Sequence, residues 1–270
     1  MRIYGVSNDT IKWFKTYLDY RIISTRVGDA ISDEIRTENQ LSEGSQLSST
    51  LFIIQIADIN QYLQFSIPTS FADDHSNSTS DNDLDTALKK ATIDANNTVE
   101  YFKMNRFCIQ SDKTSLMIIR PNLQRSDKND KSIIVDGNII KECKYVKLLG
   151  MYIDNQLSFQ EHCKIISKKS RSTISALRRL APYVNIETSS KVIKSCLISR
   201  ITYGGLFYLC KKPLRDNMQK IVMKACRIAK RLKISDRVRN EDILNSLKIP
   251  SLEIITKRQM LLQMSKWGQK

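Results

Sequence analysis

Leu63-Gln64-Phe65-Ser66-Ile67-Pro68-Thr69-Ser70-Phe71-Ala72-Asp73-Asp74 is the stretch on which the reading of this chain turns. An apolar run ends on two adjacent carboxylates, and the polar string His75-Ser76-Asn77-Ser78-Thr79-Ser80 follows at once. Such a run bounded by turn formers reads as a strand. A strand that ends in a tight turn and offers two aspartates at its tip is one way to hold magnesium. Hard cations take carboxylate oxygens, and a strand end fixes them better than a loop does. Two aspartates before a Ser/Asn cluster also suit ordinary turn chemistry. The flanking sequence has to decide.

Towards the N-terminus, residues 47–63 carry Leu47, Leu51, Phe52, Ile54, Ile56, Ile59 and Leu63 and predict one largely buried helix. Before them, Gln40 to Ser45 is a polar loop. Residues 22–27 and 31–37 predict two short strands about a Gly28-Asp29 turn. Residues 8–20 predict a helix capped by Asn8, with Ile11, Phe14, Tyr17 and Leu18 at helical spacing.

Towards the C-terminus, residues 81–103 predict a helix with Leu84, Leu88, Ala91, Ala95, Val99 and Phe102 on one face and acidic residues at its start. Residues 115–119 and 145–153 predict strands, the latter broken by Gly150, and residues 121–131 a linker. Asp136-Gly137-Asn138 predicts a hairpin. The pattern then becomes purely helical, over 158–180, 188–209, 215–232, 240–247 and 252–267. The expected fold class is α+β: a mixed part over 1–156 with antiparallel strands and helices, then an all-helical basic part over 157–270.

The chain has 270 residues, 41% of them apolar and 26% charged, which suits a folded protein with a real core. No apolar stretch approaches the roughly 20 residues that span a bilayer, and the start lacks the apolar core of a signal peptide. An intracellular protein with no membrane partner is expected. Six cysteines occur without metal-type spacing, so reduced thiols are expected rather than a zinc site. The net charge of +15 is uneven. Residues 1–150 hold 18 Lys and Arg against 20 Asp and Glu, a balance of −2, and residues 151–270 hold 25 against 8, a balance of +17. A basic half of this kind points to a polyanion, with nucleic acid the leading candidate.

The order of these pieces resembles the reverse transcriptases of non-LTR (LINE-type) retrotransposons over nearly the whole chain. Tyr4-Gly5-Val6, Trp13-Phe14, Tyr17-Leu18 and Arg21 resemble the family's helix before a strand pair. Residues Gln40 to Phe52 stand where the family has Gly-x-Pro-Gln-Gly-Ser-x-Leu-Ser-Pro-x-Leu-Phe. Phe71-Ala72-Asp73-Asp74 matches its metal-binding turn, and residues 102–113 resemble the helix end, short strand and lysine that follow. Residues 145–157, then Leu157-Ser158-Phe159 and His162, resemble the primer grip and the entry to the thumb.

The resemblance implies a polymerase palm followed by a thumb-like region, RNA-directed DNA polymerase activity, and two magnesium ions that clamp the attacking and leaving oxygens. It implies catalytic and metal-binding roles for Asp73 and Asp74, with Asp73 the more direct ligand. It implies nucleotide or template contacts at Gly44 and Lys113, dNTP as the small substrate, and an RNA template with a DNA primer, or an RNA–DNA duplex, as partner. The basic helical faces, with Lys164, Lys168, Lys169, Arg171, Arg178 and Arg179 on the first and Lys220, Lys224, Arg227, Lys230, Arg231 and Lys233 on another, suit phosphate tracking without sequence readout.

Departures from the pattern set a second expectation. The family's first catalytic strand, Asp-x-x-x-Ala-Phe-Asp, should precede Tyr4-Gly5, and the given sequence starts at Met1. Gln40, Ser42, Glu43 and Ser49 depart from the nucleotide loop, and the strand after the metal turn is polar, which predicts a frayed return strand. The expectation is therefore a truncated or decayed reverse transcriptase with little or no activity of its own. The alternatives are a non-catalytic nucleic-acid-binding protein or a retroelement relic.

Overall fold

The computed structural model describes residues 5–19, 21–37, 41, 44–120, 131–233 and 235–267. They form a mixed α+β chain of short antiparallel strand pairs and helices. It falls into two compact units, Met1–Ser111 with Ile133–Asn138, and Asp112–Ser132 with Ile139–Lys270. Gln40, Ser42 and Glu43, the linker residues 121–130 and Tyr4 lie outside the described residues. No helix among the described residues is long and apolar enough to cross a membrane.

In the first unit α1 (Asn8–Leu18) starts at the expected residue and ends two residues sooner, with Ser7 before it as the cap. The Ser7 hydroxyl accepts the Thr10 N–H at 3.2 Å, so Ser7 and not Asn8 is the cap. Strand β1 (Arg21–Ile23) pairs with β4 (Ile35–Thr37), and β2 (Arg26–Val27) with β3 (Ala30–Ile31) closes on Gly28 at φ +62°. The single buried helix expected over 47–63 is instead α2 (Gln46–Gln55) and a 3-10 turn, Ile59–Tyr62. Leu51, Ile56 and Ile59 are buried, whereas Leu47, Ile53 and Ile54 are exposed. Asp58 sits inside the run, and the Tyr101 hydroxyl reaches its carboxylate at 2.5 Å and the Gln55 carbonyl at 3.1 Å. This polar clasp diverts the chain where the helix would have continued. Strands β5 (Ile67–Phe71) and β6 (Asp74–Ser78) follow, then α3 (Leu84–Met104), capped by Asp83 through the Thr86 N–H at 2.8 Å. The buried side of α3 is Asp94, Thr98, Val99 and Tyr101, so polar groups replace much of the expected aliphatic stripe.

In the second unit, residues 115–119 form no strand. Their ladder is one parallel bridge between Leu116 and Glu142, with the Cys143 N–H on the Leu116 carbonyl at 2.8 Å. Strands β7 (Ser132–Val135) and β8 (Asn138–Lys141) flank the turn that Asp136-Gly137 indicates, with Ile133–Asn138 counted in the first unit. The strand expected over 145–153 is two, β9 (Tyr145–Leu148) and β10 (Met151–Asp154), paired antiparallel. Leu149 at φ +46° and Gly150 at φ +82° take the two positive angles that a tight hairpin turn needs.

Asp154 then organises the passage into α4 (Gln160–Leu180). Its buried carboxylate accepts the N–H groups of Gln156, Ser158 and Phe159 and the Ser158 hydroxyl, at 2.6 to 3.2 Å. The helix expected over 188–209 is α5 (Ile186–Val192), a π-helical turn Ile193–Ile198, α6 (Ser199–Thr202) and α7 (Gly205–Tyr208). Gly204 breaks it at φ +63°, and a Cβ there would collide with the Met151 side chain, so the glycine lets this corner close on β10. Helices α8 (Lys212–Ala229), α9 (Asn240–Ser246) and α10 (Leu252–Trp267) complete the unit. Its core interlocks Ile166 and Leu177 of α4 with Leu197, Ile201, Met218 and Val222.

His162, in the first turn of α4, is 0% exposed. Its Nδ1 accepts the Tyr152 N–H at 3.2 Å, and its ring meets the Tyr208 ring edge-on at 4.9 Å. Burial lowers its pKa from the ordinary 6.5, and the Lys169 charge adds to the effect. The folded state therefore favours the neutral ring, and the unfolded chain binds the proton more readily. The His162 contribution is fully present above pH 6.5 and is lost as the pH falls through 6.5 towards the folded pKa. Urea unfolding from pH 8 down to about pH 5 is expected to show falling stability, with a shallower fall in His162→Gln. An unchanged pH slope in that variant would refute the assignment.

Candidate metal turn and nucleic-acid face

The β5–β6 hairpin pairs five residues of each strand, from Ile67 opposite Ser78 to Phe71 opposite Asp74. Ala72 and Asp73 alone form its turn. Ala72 stands at φ +51°, a conformation that costs an alanine about 1 kcal/mol or more and that collects at functional sites. Asp73 and Asp74 are both exposed at the tip.

The hairpin is held from below by polar bonds rather than by apolar burial. Asp94 of α3 is fully buried. Its carboxylate accepts the N–H groups of Gln64, Phe65 and Ser66 at 2.9, 2.8 and 2.6 Å, which fixes the entry to β5. The Ser66 and Thr79 hydroxyls bond across the base at 2.7 Å. A second chain runs along the face towards α3. Thr98 donates to the Asp94 carbonyl at 2.8 Å, and Asn77 Nδ2 donates to Thr98 at 2.8 Å. That leaves Asn77 Oδ1 to accept from His75 Nε2 at 2.9 Å, so His75 Nδ1 accepts the Ser70 hydroxyl at 2.8 Å. Burial lowers the His75 pKa against the opposing Asn77 bond, which favours the neutral ring. The return strand is therefore not frayed. Its polar residues are the means by which it is fastened.

Gly44 takes φ +77° with nothing within 4 Å of a Cβ position. Ser45 caps α2 through the Leu47 N–H, and its hydroxyl lies 2.6 Å from the Tyr17 hydroxyl. Arg21 in turn stands over the Tyr17 ring at 5.3 Å. The loop that carries Gly44 is thus tied to α1. Lys113 is exposed at the end of a 3-10 turn, Ser111–Lys113, and belongs to the second unit, whereas Gly44, Asp73 and Asp74 belong to the first.

On α4 the side buried in the second unit is His162, Cys163, Ile166, Ser170, Ile174 and Leu177. Lys164, Lys168, Lys169, Arg171, Arg178 and Arg179 are all exposed, as the periodicity predicts. Lys164 is paired with Glu161 at 2.5 Å, and Lys169 stands 5.9 Å over the Tyr152 ring. From Lys164 to Arg179 the face runs about 22 Å at the helical rise.

Several other cations of this unit are committed to carbonyl groups. Arg200 bonds the Lys169 carbonyl and Thr173, and Arg215 bonds the Leu209 carbonyl. Arg227 bonds the carbonyls of Lys233 and Asp236, and Arg231 those of Ala181, Pro182 and Val184. The basic face expected around α8 is correspondingly thinner, with Lys220 and Lys224 exposed on the helix itself.

Asp94, Asp154 and His162 matter for this geometry without having been singled out as anchors in the sequence. The available signal was a carboxylate or imidazole set inside an apolar helical or strand-end pattern. Among the described residues no group of three or more His, Cys, Asp and Glu is arranged to hold a metal ion. Asp73 and Asp74 fit a narrower demand. Magnesium keeps several waters and is held by one or two carboxylates together with substrate phosphates. Comparison with protein-family models, with curated proteins and with solved structures finds no match to this chain.

Proposed function

We propose that this chain is built on the reverse-transcriptase plan of non-LTR retrotransposons and binds a template–primer duplex, with polymerase activity on its own at or near background. The observation that carries the reading is the β5–β6 hairpin. A two-residue turn in a strained conformation puts Asp73 and Asp74 in the open, and Asp94 fixes its base. Motif order along the sequence supports the same reading.

Asp73 and Asp74 would hold the magnesium, which would supply charge neutralisation at the triphosphate. Their hairpin orients the carboxylates. Among the described residues no third metal-type side chain joins Asp73 and Asp74, and two carboxylates bind such an ion weakly, the basis of the low expected activity. The exposed cations of α4 suit a phosphate backbone of any sequence.

Primer extension on an RNA template with Mg²⁺ is expected to stay within a few-fold of background. Robust extension that is lost in Asp73→Asn would overturn the low-activity part of the reading and strengthen the family assignment. Binding to an RNA–DNA duplex is expected to fall steeply with salt, with a log–log slope of roughly −4 for about five phosphate contacts. Replacing Lys168, Arg171 and Arg178 by alanine together is expected to make the slope shallower by about 3. Salt-insensitive binding, or a slope unchanged in the triple variant, would remove α4 as the contact face. A second reading, a nucleic-acid-binding protein without catalysis, is favoured by the α4 cations that make no ion pair with any described residue, which include Lys168, Arg171, Arg178 and Arg179. It predicts the same salt slope and no effect of Asp73→Asn on any activity.

A further inference from the structure

We propose that Tyr203 and Phe207, at the corner between α6 and α7, form a stacking platform for unpaired bases of a single-stranded nucleic acid. Phe207 is 62% exposed and Tyr203 is 54% exposed, unusual for rings anchored as firmly as these. Phe207 rests on the buried Phe159, with ring centroids 6.2 Å apart and planes at 30°. The Lys211 ammonium stands 5.6 Å over the same Phe159 ring and donates to the carbonyls of Leu157 at 2.7 Å and Ser158 at 3.4 Å. The Tyr203 hydroxyl donates to the Leu149 carbonyl at 2.5 Å, and its ring packs beside Gly150, 3.3 Å from where a Cβ would lie. Both rings are thus held in one orientation while leaving much of their surface in water. A preorganised ring binds a base without first losing its own freedom.

Charge selects the occupant. Between residues 155 and 215 the acidic side chains are Glu161 and Glu187, and each is paired with a lysine, Lys164 and Lys191. Lys211 and Lys212 follow Phe207 closely, and Lys147 is exposed on β9 two residues before Leu149. Aromatic faces on a stretch this rich in cations, with the exposed Asp216 the next carboxylate along the chain, match a sugar–phosphate chain whose bases are unstacked. The platform rests on the nucleic-acid reading above and adds to it a preference for unpaired bases, which the phosphate-facing cations of α4 do not confer.

The test is fluorescence anisotropy at low salt with a labelled oligothymidylate and with an abasic strand of equal length. The full chain is expected to bind the oligothymidylate about tenfold or more tightly than the abasic strand. Phe207→Ala is expected to lose most of that difference and to leave the abasic strand unaffected. Phe207→Leu keeps an apolar contact with Phe159 and removes the π face, so it is expected to show the same loss with an intact fold. Equal affinity for the two strands in the wild type, or unchanged oligothymidylate binding in both variants, would overturn the platform while leaving duplex binding intact. Concentration-dependent sedimentation abolished by Phe207→Ala would also overturn it, in favour of a second copy of this chain. Absence of binding to any strand would overturn the nucleic-acid reading itself.

Discussion

Asp94→Ala is expected to lower the stability of the first unit by about 3 kcal/mol and to release the base of the candidate metal turn. One buried carboxylate takes the N–H groups of Gln64, Phe65 and Ser66, and alanine leaves all three without an acceptor. Hydrogen bonds to a charged group are the strong class, and without the shared acceptor three part-buried donors must find water instead. Burial by itself would raise the Asp94 pKa. The Gln64, Phe65 and Ser66 bonds outweigh it and hold the group below 3.8. The sign follows: the contribution is present above the unfolded pKa and is lost as the pH falls through the lower folded one. Wild type and variant should therefore converge in acid. Hydrogen exchange reads the effect locally, because the amides of residues 64–66 should lose protection first. Protection there unchanged in the variant would show that the carboxylate does not hold the hairpin.

The second large effect is expected from Glu142→Ala. Arg120 and Glu142 form a two-pronged pair, Nη1 to Oε1 at 2.6 Å and Nη2 to Oε2 at 2.7 Å. The Glu142 side chain is fully buried and that of Arg120 is 10% exposed. Removing the carboxylate leaves a buried guanidinium with no counter-charge, a loss of roughly 3–5 kcal/mol. The double variant Arg120→Met with Glu142→Leu removes both charges and should recover most of that loss, since such pairs are often replaceable by packed apolar groups. Urea unfolding of the three proteins checks both statements. A single-variant loss below about 1 kcal/mol would mean that water reaches the pair and screens it.

These anchors mark where sequence periodicity stops being informative. The helix over 252–267 and the hairpins at Gly28-Asp29 and Asp136-Gly137 were legible, because each is specified by residues that touch one another locally. The hairpin of β9 and β10 has the sequence pattern of one broken strand. Its turn uses Leu149 at positive φ, and leucine is not a turn former. The polar strand β6 reads as frayed from sequence because the partner of its Asn77, Thr98, lies on a helix about twenty residues further along. Arg227 and Arg231 looked like parts of a solvated basic face. Arg231 instead holds the carbonyls that end α4, nearly fifty residues away in sequence. The α4 cations were legible because a helix of this length shows its buried and open sides every third or fourth residue.

At the candidate metal turn, the sequence marked the two carboxylates, and the fold adds the strained Ala72 and the polar brace beneath them. The most direct measurement is NMR line broadening by Mn²⁺, used as a paramagnetic substitute for magnesium, in the presence of an RNA–DNA duplex and dNTP. The account predicts selective broadening of the amides of residues 71–75, absent in Asp73→Asn with an otherwise unchanged spectrum. No broadening at the turn at millimolar Mn²⁺, or broadening that persists undiminished in that variant, would contradict it.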